Sequence, residues 1–367
     1  MDYLQSLKYH YKPQKGWMND PNGLVFYRGY YHVFYQHCPD YEIPWKQPMH
    51  WGHARTRDFL HWEELPVALF PDMEYDNNGC WSGTAIVKDD RLYLFYASVH
   101  TPIGSKEFIQ TVSVAYSDDG IHFTKYENNP VIDHYPPAGG PDFRDPAVCR
   151  IDDTYYCVMA AGNPEDKAAR LLVYKSDDLL AWSYVGIMSE WENCHYAECP
   201  SFMRAGDEFL LTASVCPIKK PHYFWAMYGS FDGKNFTSKH YAEIDKGPDQ
   251  YAGQAFTDHL GRNLLISWIP GWKYEGYTEK DVGCLSVPRE LKLENGVITA
   301  YPIEELQFLL KDEDEAVKRT ENGFIIERNG RDPVVYTGEI SDLKILRDGF
   351  VVEVYVNRGQ EVYTALL

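Results

Sequence analysis

The sequence predicts an all-β protein, a five-bladed β-propeller followed by a small, truncated C-terminal β module. Three observations carry this reading. The 29 Tyr, 17 Phe and 10 Trp make up 15% of the 367 residues, and aromatic side chains favour the pleated, half-buried surface of strands. Apolar and polar residues alternate in short runs broken by turn signals, which is the period of strands and not of helices. A segment of alternation, turn, further alternation, then a small polar residue, Asp and an aromatic returns along the chain. Units that repeat in this way bury their faces against their neighbours.

The elements follow in order. GLVFYRGYYHVFYQ, GTAIVKDDRLYLFYAS, PAVCRIDDTYYCVMAAG, PSFMRAGDEFLLTASV and AFTDHLGRNLLISWIP each read as an antiparallel hairpin around a turn such as Arg-Gly, Asp-Asp, Ala-Gly-Asp or Leu-Gly. The recurring end segment occurs as TRDFLHW, SDDGIHF, SDDLLAW and SFDGKNF, with aromatic ends at Trp62, Phe123, Trp182 and Phe236 and steps of 61, 59 and 54 residues. A degenerate fifth copy is expected at LKLENGVI (291–298). Each repeat holds about four short strands, and five such units match a propeller. The catalytic propeller domain is expected over 1–310 and the short sandwich-like module over 311–367. The dense charge run KDEDEAVKR (311–319) reads as a solvated linker. Beyond it GFIIER, PVVYTG, DLKIL, GFVVEVYV and EVYTALL read as five short strands. GFVVEVYV (349–356) is apolar on both faces, as in a strand covered on both sides. It is expected to pack on the propeller or on a second copy in a homodimer.

Composition narrows the function. With 35 basic against 54 acidic residues the formal charge is −19, which repels phosphate backbones and anionic headgroups, so nucleic acid and membrane are not expected partners. The N-terminus has no apolar stretch of signal-peptide kind, and no uncharged apolar run reaches the roughly 18 residues of a membrane span. The eight cysteines are scattered without a C-x-x-C, the pattern of reduced thiols in a cytoplasmic protein.

Chemistry-bearing residues precede the first strand of each repeat: Asp20, Ser82, Asp145, Glu198 and Gln254, at steps of 62, 63, 53 and 56 residues. Singly, each acid has a bland reading as a turn or surface residue. At one phase of a propeller they converge on one mouth of the axial channel, and clustering like charges is unfavourable unless it serves a purpose. Two carboxyls facing a sugar are the equipment for glycoside cleavage, one ionised and one protonated. Trp17, Trp45, Trp81, Tyr251 and Trp268 could offer rings to a sugar, whereas Trp62, Trp182 and Trp225 read as packing residues.

WMNDPNG (17–23), FRDP (143–146) and AECP (197–200) together make the chain resemble the family 32 glycoside hydrolases, the invertase, levanase and sucrose-phosphate hydrolase group. YHVFYQ, HWGHARTRDFLHW, WSGTAIV, YAGQAF and SVPREL extend the resemblance over about 10–310. It implies a retaining β-fructofuranosidase acting on sucrose, sucrose 6-phosphate or short fructo-oligosaccharides. By the same resemblance Asp20 is the nucleophile, Glu198 the acid/base, and Asp145 the residue that holds fructose hydroxyls. Asn19, Gln36, Trp45, Trp81, Ser82, Arg144, Tyr251 and Trp268 take positions of sugar contacts, with no cofactor. Ala197 and Ser201 depart from the family pattern of Trp and Asp around Glu-Cys-Pro, Trp81 replaces a usual Phe, and the C-terminal sandwich is shortened. Fructosyl transfer at the same site and sugar binding without catalysis are the competing readings. His50, His53 and His61 complete no metal-ligand spacing. His195 reads as structural, and Lys219, Lys220 and His222 read as a solvated loop with a lesser case for meeting a phosphate.

Overall fold

The computed structural model describes residues 7–41, 46–102, 104–219, 221–269 and 283–367. The fold is all-β. The first antiparallel sheet runs in chain order through β1 (Trp17–Tyr27), β2 (Tyr30–Cys38), β3 (His50–Thr56) and β4 (Trp62–Leu69). The second holds β5 (Gly79–Lys88), β6 (Arg91–His100), β7 (Ile109–Ser117) and β8 (Thr124–Lys125). The third holds β9 (Asp142–Ile151), β10 (Thr154–Asn163), β11 (Ala168–Ser176) and β12 (Ser183–Glu192). β13 (Cys194–Ala205), β14 (Glu208–Pro217), β15 (Tyr223–Phe231) and β16 (Phe236–Glu243) make the fourth. In the fifth, β17 (Tyr251–Thr257) pairs β18 (Asn263–Ile269), which pairs both β19 (Cys284–Leu285) and β20 (Arg289–Glu294), and β21 (Val297–Pro302) forms the edge.

Local chemistry explains these elements. The Arg28-Gly29, Asp89-Asp90 and Asn295-Gly296 pairs have positive φ at both residues, as two-residue hairpin turns matched to strand twist require. The recurring Ser/Thr-x-Asp is the turn between third and fourth strands. In the second sheet Ser117 Oγ accepts from the Asp119 and Gly120 N–H groups, and Asp119 Oδ1 accepts from Ile121 and His122 at 2.8 Å each. Thr56 with Asp58 and Ser176 with Asp178 repeat this arrangement, and Asp232 keeps its half of it. LKLENGVI is instead the last hairpin of the fifth sheet, β20 to β21, turned by Asn295-Gly296. The third-to-fourth-strand turn is therefore not copied there.

The first strands are neighbours in a ring: β1 lies beside β5, β5 beside β9, β9 beside β13, β13 beside β17, and β17 beside β1. No sheet closes on itself among the described residues. Leu24, Thr84, Ala147, Ser201 and Gln254, one from each first strand, line a cavity of about 480 Å³.

Two three-stranded sheets follow. β22 (Val317–Thr320), β23 (Gly323–Ile326) and β24 (Val334–Thr337) form one, and β25 (Leu343–Asp348), β26 (Val351–Val356) and β27 (Glu361–Leu366) the other. Their facing sides share a core that includes Phe324, Ile326, Ile345, Val352 and Val354. The sequence suggested five strands here and a linker over 311–319; β22 begins inside that charge run, where Val317 is buried. Two adjacent apolar residues among charges give no alternation to read. GFVVEVYV becomes β26, every residue of which is buried within the chain. Tyr355 joins the core of the fifth sheet and Val351 packs with Ile269 and Cys284. Both faces are thus covered without a second copy, and this strand gives no reason for a dimer.

A buried polar seam fixes that attachment. Arg289 Nη1 donates to Asp245 at 2.7 Å and Nη2 to Thr364 at 2.7 Å, and Nη2 lies 3.2 Å from Glu353. His10 bridges Asp348 at 3.0 Å and Glu353 at 3.1 Å. Buried charges persist only when paired and hydrogen-bonded in this way.

Candidate active site

The site is built on a defect shared by all five first strands. Each register gives two residues against one on the partner strand: Asn19 and Asp20 opposite Gln36, Trp81 and Ser82 opposite Ala97, and Asp145 and Pro146 opposite Met159. Cys199 and Pro200 stand opposite Ala213, and Ala252 and Gly253 opposite Ser267. Such bulges re-aim side chains. Three of them hold a non-glycine residue at positive φ: Asp145 (58°), Cys199 (46°) and Ala252 (52°). Left-handed backbone at a residue with a side chain is strained by about 1–3 kcal/mol, which concentrates at functional sites.

The bulges correct the phase read from the sequence. Arg144, Glu198 and Tyr251 are the last paired residues before their bulges, whereas Asp145 lies within one and Asp20 is the second residue of another. The acids come together from different positions of one device. Gln254 falls beyond its bulge and does not reach the acids; it donates to the Gly83 carbonyl at 2.9 Å and accepts from the Leu24 N–H. Tyr251 takes the place expected for it.

A cavity of about 350 Å³ is lined by Asn19, Asp20, Gln36, Trp81, Ser82, Arg144, Asp145, Glu198 and Tyr251, together with Met49, Phe108, Gln110, Asp142 and Tyr196. Nine residues expected from the sequence therefore meet there. Trp268 does not: it is fully buried behind the cavity, edge-on to Trp17 at 6.0 Å and paired across the sheet with Tyr251. Trp45 lies outside the described residues. Asp142 and Tyr196 sit two residues before Arg144 and Glu198, so strand alternation could have found them. Phe108 and Gln110 come from and beside β7, a strand whose approach no local pattern announces.

The hydrogen bonds orient each acid. Asp20 Oδ1 accepts from Asn19 at 3.0 Å and Oδ2 from Ser82 at 2.7 Å, while Asn19 is itself held by the Trp17 indole at 2.8 Å. Glu198 accepts from Arg144 Nη2 at 3.2 Å and from the Tyr251 hydroxyl at 2.7 Å. The Cys216 thiol lies 3.4 Å from the same carboxylate. Asp145 Oδ2 accepts from the Cys199 N–H at 2.9 Å, a contact that the left-handed turn at Cys199 makes possible. Arg144 is stacked 4.5 Å from the Tyr196 ring and also donates to Asp142 at 2.9 Å.

Electrostatics raise both aspartates. Burial, then the charge of Glu198, raises Asp20, against the donors Ser82, Asn19 and Cys199. Asp145 is pushed up to about 7 by burial and by Glu198 and Asp20, although Arg144 pulls it down. Arg144 is held more firmly protonated than usual: burial opposes its charge, and Glu198, Asp145 and Asp142 outweigh burial. One guanidinium thus serves several carboxyls in a poorly solvated pocket, where protonation states are set by neighbours.

The remaining candidates lie apart. His53 is fully buried, 3.0 Å from His32 and stacked on Phe34, while exposed His61 closes the Asp58 turn and His50 meets the Pro48 carbonyl. His195 is exposed. Lys219 lines a different groove, His222 lies by the Tyr251 ring, and Lys220 is outside the described residues. All eight cysteines are free thiols. No helix among the described residues is long and apolar enough to cross a membrane.

An all-β ring of sheets whose first strands present several acids to one sugar-sized cavity is the architecture of a glycoside hydrolase. Comparison with known proteins narrows the class: the glycosyl hydrolases family 32 N-terminal domain matches residues 10–302. The chain belongs to that family. It is 34% identical to the Escherichia coli sucrose-6-phosphate hydrolase over 88% of this chain and 70% of that protein. It is 35% identical to the Bacillus subtilis levanase over 82% of this chain and 47% of that protein. A Zymomonas mobilis sucrose-6-phosphate hydrolase is 35% identical, with 83% of this chain matched to 63% of it. The chain thus spans about two thirds of these two sucrose-6-phosphate hydrolases and about half of the levanase. Among solved structures, a Bombyx mori GH32 beta-fructofuranosidase superposes with a TM-score of 0.85 at 27% identity, covering 100% of this chain and 89% of that one.

Proposed function

We propose that the protein is a retaining β-fructofuranosidase that releases fructose from sucrose, sucrose 6-phosphate or short fructo-oligosaccharides in the cytoplasm. The five sheets over 1–310 are the blades of a five-bladed propeller, and 311–367 is a separate shortened module. The observation that carries the reading is the gathering of Asp20, Asp145 and Glu198 on one cavity of about 350 Å³. Asp20, with both oxygens oriented by Asn19 and Ser82, attacks the anomeric carbon. Glu198 gives its proton to the departing glycosidic oxygen as the bond to the fructosyl carbon breaks. Water then donates its proton to Glu198 and displaces Asp20 from the same carbon, which releases fructose with its configuration retained. Asp145 binds fructose hydroxyls, Arg144 and Tyr251 orient Glu198, and Trp81 offers an apolar face to the sugar.

The test compares kcat/KM on sucrose, sucrose 6-phosphate, kestose and inulin for the wild type and Glu198→Gln. Turnover of at least one substrate, with Glu198→Gln impaired much less on an activated aryl fructoside than on sucrose, supports the assignment. Failure of the wild type on all of them removes it. Product analysis at high sucrose separates hydrolysis from transfer to a second sugar.

A further inference from the structure

A second groove shares strand β13 with the catalytic cavity. It has a volume of about 840 Å³ and lies between the third and fourth sheets, where Trp191, Tyr223, Trp225, Glu192, Asn193 and Lys219 line it. Trp191 and Trp225 each set part of their surface against the buried core of those sheets, and both keep part accessible. Tyr223 and Trp225 alternate on β15 with ring centroids 5.8 Å apart, and exposed Tyr241 continues the row 5.9 Å from Trp225. Glu192, Asn193 and Lys219 are exposed, and among the described residues their side chains have no ion pair or hydrogen bond. Anchored aromatic faces rimmed by free donors and acceptors have the chemistry of sugar binding: rings cover C–H faces while polar groups meet hydroxyls.

Connectivity ties this groove to the acids through a single strand. β12 ends at Glu192 and β13 begins at Cys194, which lines the groove; Tyr196 and Glu198, on the same strand, line the catalytic cavity. Ile218 donates to the Asn193 carbonyl at 3.0 Å and Cys194 pairs with Pro217, which ties together the segments that line the groove. From Cys194 to Glu198 the strand spans at most roughly 13 Å, since His195 is an extra residue against β14. An oligosaccharide bridges that distance, and a monosaccharide does not.

We propose that the groove bounded by Trp191, Tyr223 and Trp225 is a distal subsite that holds the far end of an oligosaccharide while its terminal fructosyl unit occupies the catalytic cavity. The proposal rests on the fructosidase reading and adds a preference for chain length to it. The experiment measures kcat/KM on sucrose and on fructo-oligosaccharides of increasing length, for the full chain and for Trp225→Ala, Trp191→Ala and Trp225→Phe. The wild type should gain with length, and each alanine variant should lose about three- to tenfold on the longer chains with sucrose unchanged. Trp225→Phe should recover part of the loss. Oligosaccharide binding followed by tryptophan fluorescence in Asp20→Asn, with and without Trp225→Ala, needs no turnover and should weaken to the same extent. Equal losses on sucrose and long chains, or no gain with length in an active wild type, overturn the subsite and leave the fructosidase reading standing. An inactive wild type that still binds oligosaccharides through Trp225 removes the catalytic reading alone. Fluorescence binding unaffected by Trp225→Ala overturns the subsite by itself.

Discussion

Replacing Arg144 by Gln removes the cation that the acid cluster shares. Arg144 Nη2 lies 3.2 Å from Glu198 Oε1 and Nη1 lies 2.9 Å from Asp142. At an effective dielectric constant of about 20, a pair at that first distance attracts by about 5 kcal/mol. Desolvation of the ions offsets part of this, and truncating one partner of a buried charge pair costs about 2–5 kcal/mol. If half of that appears in the transition state, kcat/KM falls by about 5- to 70-fold. The pH profile carries the sharper signature. Asp145 stands at about 7 while Arg144 pulls it down against burial and its acidic neighbours. Without the guanidinium the coupled acids hold their protons to higher pH, so the acid limb of kcat/KM should move up by about one to three pH units. Arg144→Lys keeps a charge but cannot reach both Asp142 and Glu198 in fork geometry, and it should move the limb less. The assay is kcat/KM on sucrose from pH 4 to 9, with circular dichroism as a folding control. An unmoved limb and a loss below about threefold in folded Arg144→Gln would show that the guanidinium does not set the protonation of the acids.

Three further outcomes are expected. Asp20→Asn should lower kcat by about 10³-fold or more with the fold retained; residual activity near a tenth of wild type would exclude the nucleophile role. Asp145→Asn should abolish activity yet stabilise the protein above neutral pH. A carboxyl raised on folding to about 7 gives stability that is full below its unfolded value and lost as pH rises through 7, so thermal unfolding at pH 8 should show a higher Tm for the variant than for wild type. At the C-terminal seam, burial opposes both charges, but His10 is raised to about 9 by Asp348 and Glu353, and Glu353 is lowered to about 2 by Arg289 and His10. The His10 contribution is lost as pH rises through about 9 and the Glu353 contribution as pH falls through about 2, each about 3 kcal/mol with their mutual contact counted in both. These two contributions are therefore full together between roughly pH 4.5 and 6.5, and Glu353→Gln should flatten the acid side of the Tm profile; an unchanged acid side in that variant would assign the loss to other carboxyls.

The sequence by itself determined the strands, most of the turns and the identity of the acids. Alternation, paired left-handed turn residues and the Ser/Thr-x-Asp segment act over a few residues, so they are legible locally. The repeat spacing placed Asp20, Asp145 and Glu198 near one another because each belongs to the first strand of its sheet. Tertiary structure decided how those residues meet. Bulges give two residues against one, and a one-residue slip turns a side chain to the other face. The bulge at Ala252 and Gly253 therefore sent Gln254 away from the acids and brought Tyr251 in, although Gln254 holds the repeat position in the sequence. Trp268 and Trp81 look alike in sequence, yet one backs the cavity and the other lines it, because the neighbouring sheet covers only the first. The Arg289 seam, β22 within its charge run and the Trp191–Trp225 groove depend on contacts between segments far apart in the chain, and local pattern carries no signal for those.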